Sequence, residues 1–331
     1  SKVSSWRPDF VGFKLWSGDG FLASVRIAER LREGFPGLKI YGGGPAVLYS
    51  EETIFDHTRV FDALVDGEGE EAVVGLAAHA AGEGGLAEVP NLITWDGGSP
   101  RRTRRSFVAD LDALAPPAYS PDVYPSLAGD EHIRVFVIDE SRGCPMACAF
   151  CVHHEASGDT WRIRSPEAVL EQVAALRGHH SAMAVRFGGS FASARFLREL
   201  SVQILEACPG LSFSGFAHPL KLPTPDLERL ARAGCASLFL GVESFCDSDQ
   251  GRLGKRLSSE HAIRSVRACV EAGVVPVVSV IVPAPGQTAE SRETNKDILA
   301  ALCAGRRAAV QVQFPALLPR TLWWAQPELS L

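Results

Sequence analysis

Short apolar runs alternate with amphipathic segments along most of the chain. Phe10 to Trp16 reads as a strand, Phe21 to Phe35 as an amphipathic helix, and Leu38 to Tyr41 as the next strand. A further helix is expected to start near Ser50, and Ala63–Val65 forms a third strand. This alternation predicts an α/β fold built on a parallel sheet. Each strand runs into small or polar residues: Trp16-Ser17-Gly18-Asp19, Gly42-Gly43-Gly44-Pro45 and Gly67-Glu68-Gly69-Glu70. Ligands of open parallel sheets sit beyond the carboxyl ends of the strands, so these loops form a first candidate site.

Residues 97–130, rich at first in Pro, Arg, Gly and Asp, read as a linker between a first domain over 1–96 and a second over 131–331. In the second, apolar strands are expected at Val135–Ile138, Ala184–Phe187, Leu211–Phe216, Ser237–Val242, Val275–Val282 and Ala309–Phe314. Helical segments such as Pro166–Leu176, Ser193–Ala207 and Ser259–Ala272 separate them. Six such βα repeats predict a partial or full parallel barrel. The first domain is read as starting midway through a nucleotide-type fold, without its early strands.

A length of 331 residues with 46% hydrophobic content allows two cores. The net charge of −6 argues against nucleic acid or an anionic membrane as the main partner. The basic run Arg101-Arg102-Thr103-Arg104-Arg105 reads as part of the solvated linker. No uncharged apolar stretch reaches membrane-span length and the N-terminus lacks a signal-peptide layout, so a cytoplasmic location is expected. All eight cysteines lie from Cys144 onward, three of them within Cys144–Cys151. That crowding suits a metal site in a reducing compartment better than a disulfide framework. Cys208, Cys235, Cys246, Cys269 and Cys303 read as small buried hydrophobes.

Cys144-Pro-Met-Ala-Cys148-Ala-Phe-Cys151 follows directly on the strand at Val135–Ile138. Thiolates select zinc or iron–sulfur clusters. Structural zinc takes four ligands and no second cysteine pair is present; three cysteines would leave one corner of a cubane cluster open to a chelating molecule. The CxxxCxxC spacing, with Phe150 before the last cysteine, resembles the radical S-adenosylmethionine (SAM) superfamily. The resemblance implies that Cys144, Cys148 and Cys151 hold a [4Fe–4S] cluster whose fourth iron chelates SAM. An electron supplied by a separate donor then cleaves SAM to a radical that abstracts hydrogen from substrate.

Other segments extend the likeness. Phe150 resembles the aromatic beside the adenine, and Gly188-Gly189-Ser190 the Gly-Gly-Glu motif that receives the SAM amino group, with Ser190 in place of the acid. Gly241-Val242-Glu243-Ser244 is similar to the segment that approaches the ribose and methionine portion, and Ile281-Val282-Pro283 to the fifth-strand region. Glu243 and His218 are the candidate catalytic residues. Ser165, Pro166 and Glu167 read first as a helix start, with a second reading in which Glu167 reaches the open iron. His153 and His154 read as solvated.

The first domain resembles the cobalamin-binding domain that precedes many radical SAM cores. The resemblance implies that Trp16, Ser17, Gly18, Asp19, Gly42, Gly43, Gly44, Pro45, Gly67, Glu68, Gly69 and Glu70 meet the corrin. The motif DxHxxG is absent, which implies no lower histidine ligand. Enzymes with both modules are typically methylases of unactivated carbon or phosphorus in small-molecule or natural-product substrates. A cyclisation or rearrangement, or a non-catalytic iron–sulfur protein, are the alternatives.

Overall fold

The computed structural model describes residues 2–16, 18–124, 127, 134–222 and 224–326. The chain divides into two units, residues 1–108 and 109–331.

In the first unit, β1 (Phe10–Lys14), β2 (Lys39–Gly43) and β3 (Ala63–Val65) are parallel. Their carboxyl ends therefore share one edge, and so do the three loops singled out in the sequence. The helix after β1 spans Asp19–Gly34. The next helix begins at Pro45 rather than near Ser50, because Gly44, at φ 103°, turns the chain out of the strand and proline is pre-shaped for a first helical position. Leu15, Ile40, Val47, Phe55, Leu64 and Ile93 fill the core.

The first part of the linker expected over residues 97–130 is built into the first sheet instead. Two antiparallel strands, β4 (Leu92–Trp95) and β5 (Pro100–Arg102), extend the first sheet in the order β1-β2-β3-β4-β5. The Asn91 carboxamide accepts the Ser106 N–H at 2.7 Å and donates to the Glu68 and Ser106 carbonyls. These bonds hold the chain to the first unit as far as Val108. Beyond it, Leu111 is buried in the second unit, and the Asp112 carboxylate accepts the Ser165 N–H at 3.1 Å. The basic run is exposed as expected but enters β5 and pairs with acids: Arg101 with Asp96, Arg102 with Asp66 and Glu51, and Arg104 with Glu71. Charges along an edge strand discourage further strands from pairing with it. The last part of the expected linker, residues 128–130, lies outside the described residues, as does Ser17.

The second unit is built on β6 (Val135–Ile138), β9 (Ala184–Phe187), β10 (Ser212–Ala217), β11 (Cys235–Glu243), β12 (Val275–Ile281) and β13 (Ala309–Gln313). All pair in parallel in the order β13-β12-β11-β10-β9-β6, an open six-stranded partial barrel. Consecutive strands are neighbours because each crossover helix returns the chain beside the strand it left. Leu200 and Ile204 of the helix Ala194–Ala207, and Ala262 and Val266 of Ser259–Glu271, pack with Phe187, Leu238, Leu240 and Val278 of the strands. The opposite sheet face is open: Val137 is 55% exposed. Cys208, Cys235 and Cys269 are buried in the core as expected, whereas Cys246 and Cys303 are only partly covered. Among the described residues no helix is long and apolar enough to cross a membrane.

Candidate functional site

A short antiparallel pair, β7 (Ser141–Arg142) and β8 (Arg162–Ile163), clamps the base of the loop that carries the three cysteines. Within it the Cys151 N–H donates to the Cys148 carbonyl at 3.1 Å. Its middle is fixed from outside, the Ala149 N–H donating to the Leu253 carbonyl at 3.0 Å and the Ala149 carbonyl accepting from Trp323 at 3.1 Å. Phe150 packs on Trp323, ring centroids 5.5 Å apart.

The loop faces a cavity of about 270 Å³ that is also lined by Gly188, Gly189, Ser190, His218, Glu243 and Lys255. The sequence candidates Cys144, Cys148, Cys151, Phe150, Gly188, Gly189, Ser190, Glu243 and His218 are thus brought together. Burial raises all three thiols above the ordinary cysteine value, and the Lys255 charge opposes the rise at each. Among the described residues no three ligating side chains surround a point where one metal ion would sit. The thiols border a cavity instead. An all-sulfur donor set of three, half-buried and beside a cation, fits an iron–sulfur cluster with one iron left for another ligand.

Glu243 arrives by a backbone irregularity. The register of β11 against β12 shifts between Gly241 and Glu243, and Glu243 has φ 68°, a strained conformation for a residue with a side chain. Its carboxylate accepts from Ser279 Oγ at 2.8 Å and faces Lys255 Nζ at 3.4 Å. Burial raises the Glu243 pKa, with Lys255 and Ser279 opposing. Lys255, itself 3% exposed, was not anticipated. It follows Gly254, the left-handed residue that ends the helix Asp247–Leu253, and no local pattern marks it as buried.

Two candidates stand apart from the cavity. Ser244 is fully buried and donates to Asp249 Oδ2 at 2.8 Å, in a polar cluster with Asn295 that locks the loop after β11. Val282 packs against the hydrophobic core, its N–H donating to the Gln313 carbonyl. Glu167 is exposed, accepts from Gln203 and lies outside the cavity lining, while Ser165 caps the helix through the Ala168 N–H. His153 does more than face solvent: it lines the cavity with Nδ1 3.2 Å from Ser190 Oγ. His154 Nδ1 lies 3.3 Å from the Cys144 carbonyl.

Where Ser190 replaces the usual acid, a carboxylate arrives from elsewhere. Glu140, fully buried at the end of β6, accepts the Gly189 N–H at 2.8 Å. A Cβ on Gly189 would lie 2.3 Å from Ser141 Oγ and 2.7 Å from the Glu140 carboxylate, so a larger residue would have to displace both side chains. Burial, the largest cause, pushes the Glu140 pKa from 4.5 to about 7, against the Gly189 hydrogen bond. A carboxyl group raised on folding stabilises the fold fully below its unfolded pKa and loses that contribution as pH rises through the folded value. Wild type should therefore lose about 3 kcal/mol between pH 4.5 and 8 relative to Glu140→Gln, which cannot ionise. Urea unfolding across that range measures it, and parallel curves for the two proteins would count against a buried titrating acid.

In the first unit the cobalamin candidates divide. A Cβ on Gly42 would meet Leu15 Cδ1 at 2.7 Å and Leu64 Cδ2 at 2.9 Å, so this glycine serves sheet packing, and Gly44 is crowded by the Leu15 backbone at 3.2 Å, whereas a Cβ on Gly43 would meet Val65 at an ordinary contact distance of 3.4 Å. Pro45 starts a helix, and Glu68 accepts the Val108 N–H. Trp16 is 54% exposed, and the space around Gly18 and Gly69 is open. Asp19 and Glu70 are the first residues of their helices, and Gly67, at φ 126°, borders the Asn91 carboxamide. The fit to a broad planar ligand therefore rests on the loops after β1 and β3.

Residues 140–298 match the radical SAM superfamily. An uncharacterized methyltransferase of Pyrococcus horikoshii is 24% identical over 303 residues, 88% of this chain and 64% of that protein. An anaerobic magnesium-protoporphyrin IX monomethyl ester cyclase of Rubrivivax gelatinosus is 23% identical over 318 residues, 88% of this chain and 54% of the cyclase. The chain thus spans less than two thirds of either relative. The solved structure of the cobalamin-dependent S-adenosylmethionine radical enzyme OxsB, with aqua-cobalamin and S-adenosylmethionine bound, superposes with a TM-score of 0.78 at 19% identity, over 99% of this chain and 48% of that one. Residues 140–298 are thus a radical SAM domain, and the fold, an α/β unit preceding a six-stranded core that carries the cysteine loop, is one shared with the cobalamin-dependent radical enzyme OxsB.

Proposed function

We propose that this chain is a cobalamin-dependent radical SAM methyltransferase acting on an unactivated carbon, or phosphorus, of a small-molecule or natural-product substrate. The observation that carries the reading is the meeting of three half-buried thiols, the Gly188-Gly189 backbone and the Glu243–Lys255 pair on one cavity. When bound, the cluster with SAM supplies a hydrogen-abstracting radical and cobalamin a transferable methyl group.

The protein's own part is to hold and orient. Cys144, Cys148 and Cys151 would ligate three irons. The Gly188-Gly189 turn, pinned by Glu140, would offer its backbone to the SAM amino group, and Lys255 would meet the carboxylate. Phe150 would cover the adenine, and Glu243 the ribose side. In the first unit, Trp16, Gly18, Asp19, Gly67, Gly69 and Glu70 would border the corrin. An external electron donor and a reducing, cytoplasmic setting complete the scheme. A second reading, cyclisation or rearrangement, is favoured by the likeness to the Rubrivivax cyclase over 88% of this chain.

Anaerobic reconstitution with iron, sulfide and hydroxocobalamin, followed by metal analysis and product analysis after reduction with SAM, tests the proposal. About four irons and one cobalt per chain are expected, with both 5′-deoxyadenosine and S-adenosylhomocysteine formed. Iron without cobalt or S-adenosylhomocysteine would favour the second reading, and zinc alone would overturn both.

A further inference from the structure

We propose that the open face of the second unit's sheet carries a substrate subsite for a planar or apolar molecule bearing an oxyanion, either carboxylate or phosphate. The word substrate rests on the enzyme reading above; the binding site itself does not. Strand register sets the geometry. Arg186 pairs with Ser214, two residues before Phe216, and Phe216 pairs with Phe239. Alternation along strands puts Arg186, Phe216 and Phe239 on one face. The two phenyl centroids are 5.1 Å apart, and the Arg186 guanidinium carbon lies 5.3 Å from the Phe216 centroid.

Arg186 is exposed, and among the described residues no carboxylate pairs with it, whereas Arg195, Arg198, Arg229, Arg252 and Arg264 each pair with an acid. A guanidinium resting on an aromatic ring keeps its forked N–H groups available, and carboxylates and phosphates match that fork. The phenyl pair offers an apolar wall of the kind that holds a flat or greasy body.

His218 supplies an independent sign of a missing ligand. It is 6% exposed and its Nδ1 accepts the Leu220 N–H at 3.2 Å, which puts the ring proton on Nε2. Among the described residues, Nε2 has no partner. Burial, the largest cause, and the charge of Lys255 hold the His218 pKa at about 3, so the ring remains neutral and donates one hydrogen bond. Phe216, Phe239 and His218 also line the cavity of the three thiols. A molecule lying along this face would reach from the cysteine loop towards Arg186, its body on the phenyl pair and an acceptor atom near His218.

The reconstituted full chain, with SAM present to occupy the Lys255 region, should be titrated with 1-naphthoate, 1-naphthyl phosphate and uncharged 1-naphthamide by equilibrium dialysis. One of the two anions is expected to bind at least about tenfold more tightly than the amide, and which one identifies the oxyanion. Arg186→Gln should reduce that preference to about one, while F216L weakens all three probes. Equal binding of the three probes, or an unchanged preference in R186Q, overturns the proposal. Should R186Q fail to fold, R186K keeps the charge without the planar fork and must still lower the anion-to-amide ratio; an unchanged ratio overturns it equally. Cluster absorbance and SAM cleavage, read on the same samples, report separately on the enzyme reading.

Discussion

Replacing Cys144, Cys148 and Cys151 together with alanine should take iron in the reconstituted protein from about four per chain to near zero and abolish reductive cleavage of SAM. The effect is expected to be this large because among the described residues no three ligating side chains are placed to hold a metal ion, so no alternative site could retain the iron. The variant should still fold. The loop is held at its base by pairing of Ser141 with Ile163 and Arg142 with Arg162, and at Ala149 by two backbone hydrogen bonds, none of which needs sulfur. Because burial keeps the thiols protonated in the bare protein, cluster assembly must release their protons, and iron uptake by wild type should improve as pH rises. Metal analysis and circular dichroism decide the matter, and a folded triple variant that retains its iron would falsify the assignment.

Lys255→Met should be the most damaging single change at the site. Glu243 and Lys255 are almost wholly shielded from water, so removing the cation leaves a carboxylate in a low-dielectric pocket with only Ser279 to solvate it. Breaking one side of a buried pair typically costs about 3–5 kcal/mol. The sign with pH follows from the direction of the shift. Burial already raises the Glu243 pKa and Lys255 opposes it, so without Lys255 the folded-state pKa climbs further. A raised carboxyl contributes stability below its unfolded pKa that is lost as pH rises through the folded one. The variant should thus be closer to wild type at pH 5 than at pH 8 in urea unfolding.

Stability alone does not distinguish a structural pair from a ligand-binding one. The double variant K255M/E243Q, which removes both charges, should recover much of the stability yet bind SAM roughly ten- to a hundredfold more weakly, as expected for losing a charge-assisted hydrogen bond of about 1.5–3 kcal/mol. Calorimetric titration with SAM provides the comparison. Wild-type affinity in the double variant would confine Lys255 to a packing role.

Much of the second unit was legible in the chain. Its six strands were expected within a few residues of where they lie, because each is an apolar or alternating stretch and helix starts such as Ser165-Pro166 and Ser193 punctuate the chain. The cysteine loop was readable because its ligands are close in sequence. The first unit was less so. β5 is Pro-Arg-Arg, a polar segment without alternation, and it forms a strand because β4 offers backbone partners and because Asp66, Glu51 and Glu71 neutralise the neighbouring arginines. Local propensity cannot register partners supplied by residues 30 or more positions away.

What the amino-acid order determined by itself is therefore local: the strand and helix alternation, the helix caps, and the spacing of three thiols on one loop. Only the tertiary structure decided which groups surround those thiols. Glu140 meets Gly189 and Arg186 lies over Phe216 because parallel strands bring distant positions into register, and Lys255 meets Glu243 because the helix Asp247–Leu253 turns the chain back on the end of β11. The same packing turned Ser244 and Gly42 from candidate contacts into supports of the fold, the one satisfied by Asp249 and the other enclosed by Leu15 and Leu64. Burial and charge pairing are properties of that assembled environment, and they arise only when segments far apart in the chain exclude water from one another.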